Sequence, residues 1–258
     1  MWHRHILKAQ AKANLKGVFL LSGLVVLITL ILNFQQYYEI ISDFFFTENA
    51  QASMADFPNI SLVDRYPVLG FSLYNYLYVP FELLVPMIGA GAGIIAILFK
   101  MFVGTPAEIG EVRYFLTVSK NSKRVDWRIL FSAFKDPNYL NMVKVMLIRE
   151  IKVFLWFLLL IVPGIIKIYE YHYIPWIIAE NPGMDQKTAQ RISRDLTSGQ
   201  KMDMFILDLS MLGWDLLAIL TLGLAFPFVV AYRTAVHTEL YETLKSHSIG
   251  NGDVYNLA

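Results

Sequence analysis

Hydrophobic and polar positions fall in blocks along this chain, with long apolar runs separated by short charged stretches. The runs are long enough to cross hydrocarbon as helices. The chain is organised around Lys152–Glu180, an apolar run broken at Pro163-Gly164 and followed by a second run carrying Lys167, Glu170 and His172. The design returns over Phe205–Leu244: Asp208 and Asp215 precede a Gly223–Pro227 break, and Arg233, His237 and Glu239 follow it. Each stretch predicts a helical hairpin with ionisable groups inside it, Pro163, Gly164 and Pro227 marking the helix breaks.

The remaining blocks fit the same plan. Residues 1–16 form a basic arm in which Lys8, Lys12 and Lys16 share one helix face. Gly17–Leu32 predicts a first span. Basic-then-apolar order also describes a signal peptide, but the nearest small-x-small site, Ala50-Gln51-Ala52, lies well beyond the run, so an uncleaved helix is expected. Residues 33–66 are acidic and rich in boundary aromatics, as an external segment would be. Tyr66–Pro80 reads as interfacial or re-entrant, and Leu83–Phe102 as a second span whose Gly89 and Gly93 form a GxxxG packing face.

Residues 104–144 turn basic and predict an internal loop with one or two short interfacial helices. The third span starts near Met142, the fourth covers Ile165–Ala179, the fifth Met204–Leu222 and the sixth Leu224–Leu244. Between the two hairpins, Asp185 is placed to cap a short amphipathic helix through Leu196, with Lys187, Arg191 and Arg194 to one side. Residues 246–258 form a polar tail. Lys and Arg concentrate in the arm, in 104–144 and in Asn181–Lys201, which orients the chain with both termini cytoplasmic. The expected fold is therefore all-α: one integral-membrane domain over 1–258, with about six transmembrane helices in hairpins and short interfacial amphipathic helices.

Composition agrees. Apolar residues make up 56% of 258 and charged residues 17%, against about a quarter charged in a soluble domain; mean hydropathy is +0.47. A net charge of +1 gives no bulk case for nucleic acid. The absence of cysteine excludes disulfides, thiol catalysis and thiolate metal sites.

Ionisable groups inside a bilayer cost roughly 2.5–3.5 kcal/mol each and need partners or water. At about 1.5 Å per residue, Asp215 lies roughly 12 Å before the Gly223 turn and Arg233 roughly 15 Å after it. An antiparallel hairpin would bring them to one level as an ion pair. Asp208 and Asp215 are seven apart, and Arg233 and His237 four apart, so each pair shares a helix face and Asp208 can meet His237 one layer further in. Glu170 is expected at a depth similar to Asp215. Two readings stand side by side: the pairs hold spans together, or Glu170, Asp208, Asp215, Arg233 and His237 line a polar cavity for an ion, a proton or a head group. Glu170-x-His172 and His237-x-Glu239 lack a metal-binding helical spacing, and no hydrolase elbow, P-loop or dinucleotide fingerprint occurs. No metal, cofactor or catalytic residue is expected. Ser193, Ser198 and Ser210 read as glue between helices.

Two ordered motifs carry a family resemblance. The first comprises Leu155-Trp156, Ile161 to Lys167, Tyr169, Tyr171 and Ala179-Glu180-Asn181-Pro182; the second comprises Ser193, Ser198-Gly199, Lys201, Phe205, Leu209-Ser210, Gly213-Trp214 and Thr221-Leu222-Gly223. Together they resemble the uncharacterised bacterial integral-membrane family called domain of unknown function nine-seven-five, most densely over Gly104–Tyr241. The resemblance implies a six-span protein of the bacterial cytoplasmic membrane and carries over no activity. The resulting expectation is a non-enzymatic multi-pass protein that binds or moves a small or lipidic ligand, self-protection against membrane-active compounds being one version. The alternative is a membrane scaffold or modulator with structural ion pairs. Its partners are membrane lipids, other membrane proteins or further copies of itself.

Overall fold

The computed structural model describes residues 2–33, 98–120, 125–221 and 223–250. The acidic segment after position 33, the Tyr66–Pro80 piece, the part of the second span that holds Gly89 and Gly93, and the tail beyond 250 lie outside the described residues. Within them the chain is helical: α1 (Arg4–Leu15), α2 (Phe19–Leu32), a π-helical turn (Lys100–Gly104), α3 (Thr105–Lys120), a 3-10 helix (Trp127–Lys135), α4 (Tyr139–Leu159), α5 (Ile161–Glu170), α6 (Ile174–Glu180), α7 (Gln186–Thr197), α8 (Lys201–Leu209), α9 (Leu212–Leu220) and α10 (Phe226–Gly250). No strand occurs among the described residues.

Two helices form the core around which the rest is placed. α3 packs against α1, α2, the 3-10 helix, α4, α6 and α10, and α10 also packs against α1, α2, α7 and α9. Thr105–Lys120 is thus a core helix where the sequence predicts part of a cytoplasmic loop. The reason is its apolar set: Ala107, Ile109, Val112, Phe115, Leu116 and Val118 are buried around it, and the intervening Glu108, Glu111 and Arg113 mask that pattern. Gly110 lets the 3-10 helix come close. A Cβ there would lie 1.8 Å from the Leu130 carbonyl oxygen, which belongs to backbone and cannot swing aside.

The hairpins form, but their breaks are displaced. α4 ends at Leu160, whose φ of −162° and ψ of 142° are extended. Pro163 then sits in the first turn of α5, where its missing N–H costs nothing, so the chain turns before the proline rather than at it. Gly164 is buried against Phe157: a Cβ would meet that ring at 2.8 Å, so the glycine lets α5 lie close to α4. At the other hairpin Gly223 adopts φ 85°, a left-handed geometry that glycine tolerates, and Pro227 again falls in the first turn of the following helix.

The fourth and fifth predicted spans are each divided. A turn at 171–173 separates α5 from α6, and Ser210-Met211 separates α8 from α9. Among the described residues no single helix is long and apolar enough to cross a membrane. α4, at 21 residues, carries Lys144, Arg149, Glu150 and Lys152 within it. α1 and α2 pass by length and composition only as a pair, and that pair is bent by 95°. The short helix between the hairpins forms as expected: Asp185 accepts from the Thr188 N–H at 3.0 Å, Ala189, Ile192 and Leu196 are buried, and Lys187, Arg191 and Arg194 are exposed.

The close approach at Gly110 is testable. Gly110→Ala should lower the thermal unfolding temperature of the detergent-solubilised chain, at a cost of about 1–3 kcal/mol for an overpacked contact. Gly213→Ala, where an added carbon meets nothing within 4 Å, should leave it unchanged or raise it. Equal shifts for the two variants would show that α3 and the 3-10 helix are not in tight contact.

Candidate functional site

The polar interior lies in layers on α5, α8, α9 and α10. Asp215 and Arg233 come from adjacent turns of the α9–α10 hairpin, as their distances from the Gly223 turn suggest. Arg233 Nη2 donates to Asp215 Oδ1 at 2.7 Å and Oδ2 at 2.6 Å, and Asp215 is only 1% exposed. One layer away, His237 Nε2 lies 2.8 Å from Asp208 Oδ1. The Tyr169 hydroxyl donates to Asp208 Oδ2 at 2.9 Å. Asp208 and Asp215 face α10 although the Ser210-Met211 break lies between them.

Aromatic rings close the second layer. His172 stacks on Trp176 at 5.4 Å and lies 4.6 Å from the His237 ring, centroid to centroid. The Trp176 indole N–H donates to Thr238 Oγ1 at 3.0 Å. Tyr169, in the last turn of α5, and His172, in the turn at 171–173, belong to this layer, and the sequence signal for them was their place on either side of Glu170. Among the described residues no three His, Asp or Glu side chains are grouped to hold a metal ion.

Glu170 does not join this cluster. Its Oε1 accepts from Lys167 Nζ and Arg194 Nε, both at 2.8 Å, and its Oε2 from Lys201 Nζ at 3.3 Å. Its place at the end of α5 and the docking of α7 bring cations of α7 and α8 to its carboxylate. That docking rests on Ser193, whose hydroxyl donates to the Glu170 carbonyl at 2.8 Å and accepts from the Tyr173 N–H at 3.3 Å. Ser193 thereby satisfies backbone groups that the end of α5 leaves open.

The α8–α9 break is served from a distant part of the sequence. Lys8 Nζ donates to the Ser210 carbonyl at 3.1 Å and to its hydroxyl at 2.8 Å. Lys12 lies over the Trp214 ring at 5.6 Å. The basic arm is therefore a docked helix, α1, with two of its lysines engaged on α8 and α9.

A further carboxylate, Glu180, ties three helices. Its Oε1 accepts from Lys120 on α3 at 2.9 Å, and its Oε2 accepts from the Tyr241 hydroxyl at 2.8 Å and from Lys245, both on α10. Nearby, Arg113 donates to the Ala179 carbonyl at 3.0 Å and to Asp136 at 2.7 Å. Burial pushes the Glu180 carboxyl up, but the bonds from Lys245, Lys120 and Tyr241 outweigh it and hold the group below the ordinary glutamate value.

Residues 157–248 match the family described as Protein of unknown function (DUF975). This is the family that the two sequence motifs resemble, and the match begins after α3 and most of α4, narrower than the Gly104–Tyr241 region of densest resemblance. No curated protein and no solved structure matches the chain.

Two predictions follow from these contacts. Arg233→Met alone leaves a buried carboxylate without its guanidinium and should destabilise by about 3–5 kcal/mol, while Asp215→Leu combined with Arg233→Met should recover most of that loss; thermal unfolding in detergent measures both. For Glu180, a folded value lower than the unfolded one means stability present above about pH 4.5 and lost as pH falls through the depressed value. Unfolding temperature should drop in that acid window, and Glu180→Gln should be less stable at neutral pH with a flatter acid limb. An unchanged limb would remove Glu180 from this role.

Proposed function

We propose that this chain, which carries the DUF975 family's sequence over residues 157–248, is a non-enzymatic multi-pass protein of the bacterial cytoplasmic membrane that binds or moves a small polar or lipidic ligand. The site of binding is the layered cluster of Asp208, His237, Asp215 and Arg233. The observation that carries the reading is the position of these groups beside breaks in the helices. Asp208 lies two residues before the Ser210-Met211 break, Tyr169 is in the last turn of α5, and His172 lies within the 171–173 turn. Discontinuous helices with buried polar groups at the break are how transporters build sites at membrane depth.

Membrane placement is supported by the outer surface. Leu158, Leu159, Leu160 and Val162 at the α4–α5 tip, and Leu220 and Leu224 at the α9–α10 tip, are all more than 60% exposed. Apolar surface of that kind at two hairpin tips suits lipid better than water. The basic cytoplasmic face assigned from Lys and Arg counts carries over to α7 and the end of α3.

One observation favours the second reading, a scaffold whose ion pairs are structural. Both oxygens of Asp208 and both of Asp215 already accept from protein donors. A single experiment separates the two. The wild-type chain and Asp208→Asn are purified from carbonate-washed membranes, and molecules released on denaturation are identified by mass spectrometry. Ligand binding predicts a species retained by wild type and lost from a folded Asp208→Asn. Identical sets from both would leave the scaffold, and release of the chain by the carbonate wash would remove the membrane placement itself.

A further inference from the structure

Five cations gather where α4, α5, α7 and α8 meet. Lys167, Arg194 and Lys201 bond to Glu170, and Lys152 lies within electrostatic reach of Arg194, Lys187 and Lys167. Neither Lys152 nor Lys187 has a carboxylate partner among the described residues. Lys152 Nζ instead donates to Gln190 Oε1. Among the described residues Glu170 is the one carboxylate that forms an ion pair with any of these five cations, and it pairs with three of them; the lysines left over repel one another, which a bound anion would relieve.

A second observation points to a ligand there. Gln190 is 3% exposed, and its Nε2, a donor, has no hydrogen-bond partner among the described residues. A buried N–H left without an acceptor costs about 1–3 kcal/mol. An oxyanion beside Lys152 would both accept from such a donor and neutralise the lysines.

The surroundings say which oxyanion. Lys167 Nζ lies 5.0 Å from the centre of the Trp156 ring. From Trp156 the exposed side chains of Leu155, Leu159 and Val162 continue towards the hairpin tip. A charged cluster at one end of an exposed apolar strip matches a molecule with a phosphate head and a hydrocarbon tail.

We propose that Lys152, Lys187, Arg194 and Gln190 form a phosphate-binding site that takes the headgroup of an anionic phospholipid, its acyl chains lying along Trp156 and Leu155. Glu170 acts as a positioning residue, holding Lys167, Arg194 and Lys201 at the rim. The lipid source rests on the membrane placement proposed above; the phosphate chemistry does not.

The test uses the full chain in detergent, with thermal unfolding followed in the presence of dioctanoyl-phosphatidylglycerol, dioctanoyl-phosphatidylcholine or inorganic phosphate. Phosphatidylglycerol should raise the unfolding temperature by several degrees and phosphatidylcholine should not. Lys152→Gln should abolish most of the rise. Lys187→Gln, at an exposed position without a salt bridge, should weaken it and serves if the first variant does not fold. Lys135→Gln, outside the cluster, should respond as wild type. A rise with inorganic phosphate equal to that with phosphatidylglycerol would keep the site and assign it to a free anion. Equal responses to the two lipids, or a full response in the Lys152 and Lys187 variants, would overturn the site. A chain that carbonate releases but phosphate still stabilises would fail the membrane placement alone; one that stays in the membrane with no anion response would fail the site alone.

Discussion

Arg233 is buried against the carboxylate of Asp215. A guanidinium withdrawn from water loses several kcal/mol of hydration, and the carboxylate 2.6 Å away restores part of it. The contact fixes how far α9 slides along α10, because a shift of one turn would leave two opposite charges apart in an apolar interior. The next layer inherits that register: with Asp215 on Arg233, Asp208 and His237 fall opposite each other four to seven residues further along their helices. Tyr169 then joins the same carboxylate from α5, which ties the first hairpin to the second.

The short helices follow from the same rule applied to backbone. Each interruption frees N–H and C=O groups that must find partners inside the fold. At the end of α5 the partner is the Ser193 hydroxyl of α7, and at the end of α8 it is Lys8 of α1. Neither break could persist in an isolated hairpin. The discontinuity of α5–α6 and α8–α9 is therefore a property of the assembled bundle, and it places the broken ends beside the buried carboxylates.

The two halves of the polar interior differ in balance. Around Asp208 and Asp215 each acid faces a base or a hydroxyl. Around Glu170 the cations outnumber the acid. Glu180 lies between these cases, one carboxylate shared by Lys120, Lys245 and Tyr241. The paired layers hold helices together, and the unbalanced end is where an anion from outside would be stabilised.

Much of this was legible in residue spacing. Helical content, two hairpins, the capped α7, and the pairing of Asp215 with Arg233 and of Asp208 with His237 follow from periodicity and rise per residue, because those quantities are local and the hairpin turn supplies one fixed point. Other features depend on partners far away in the chain. Glu170 keeps apart from the Asp208 and Asp215 layers because Ser193 docks α7, and with it Arg194, against the end of α5. The basic character of residues 104–144 predicts an internal loop with short interfacial helices, and only the bundle shows that 105–120 is a core helix and which face each of its charges occupies. The sequence by itself determined which residues must be buried together with opposite charge; the tertiary structure decided where the helices break, since a break is stable only where a distant side chain can satisfy it.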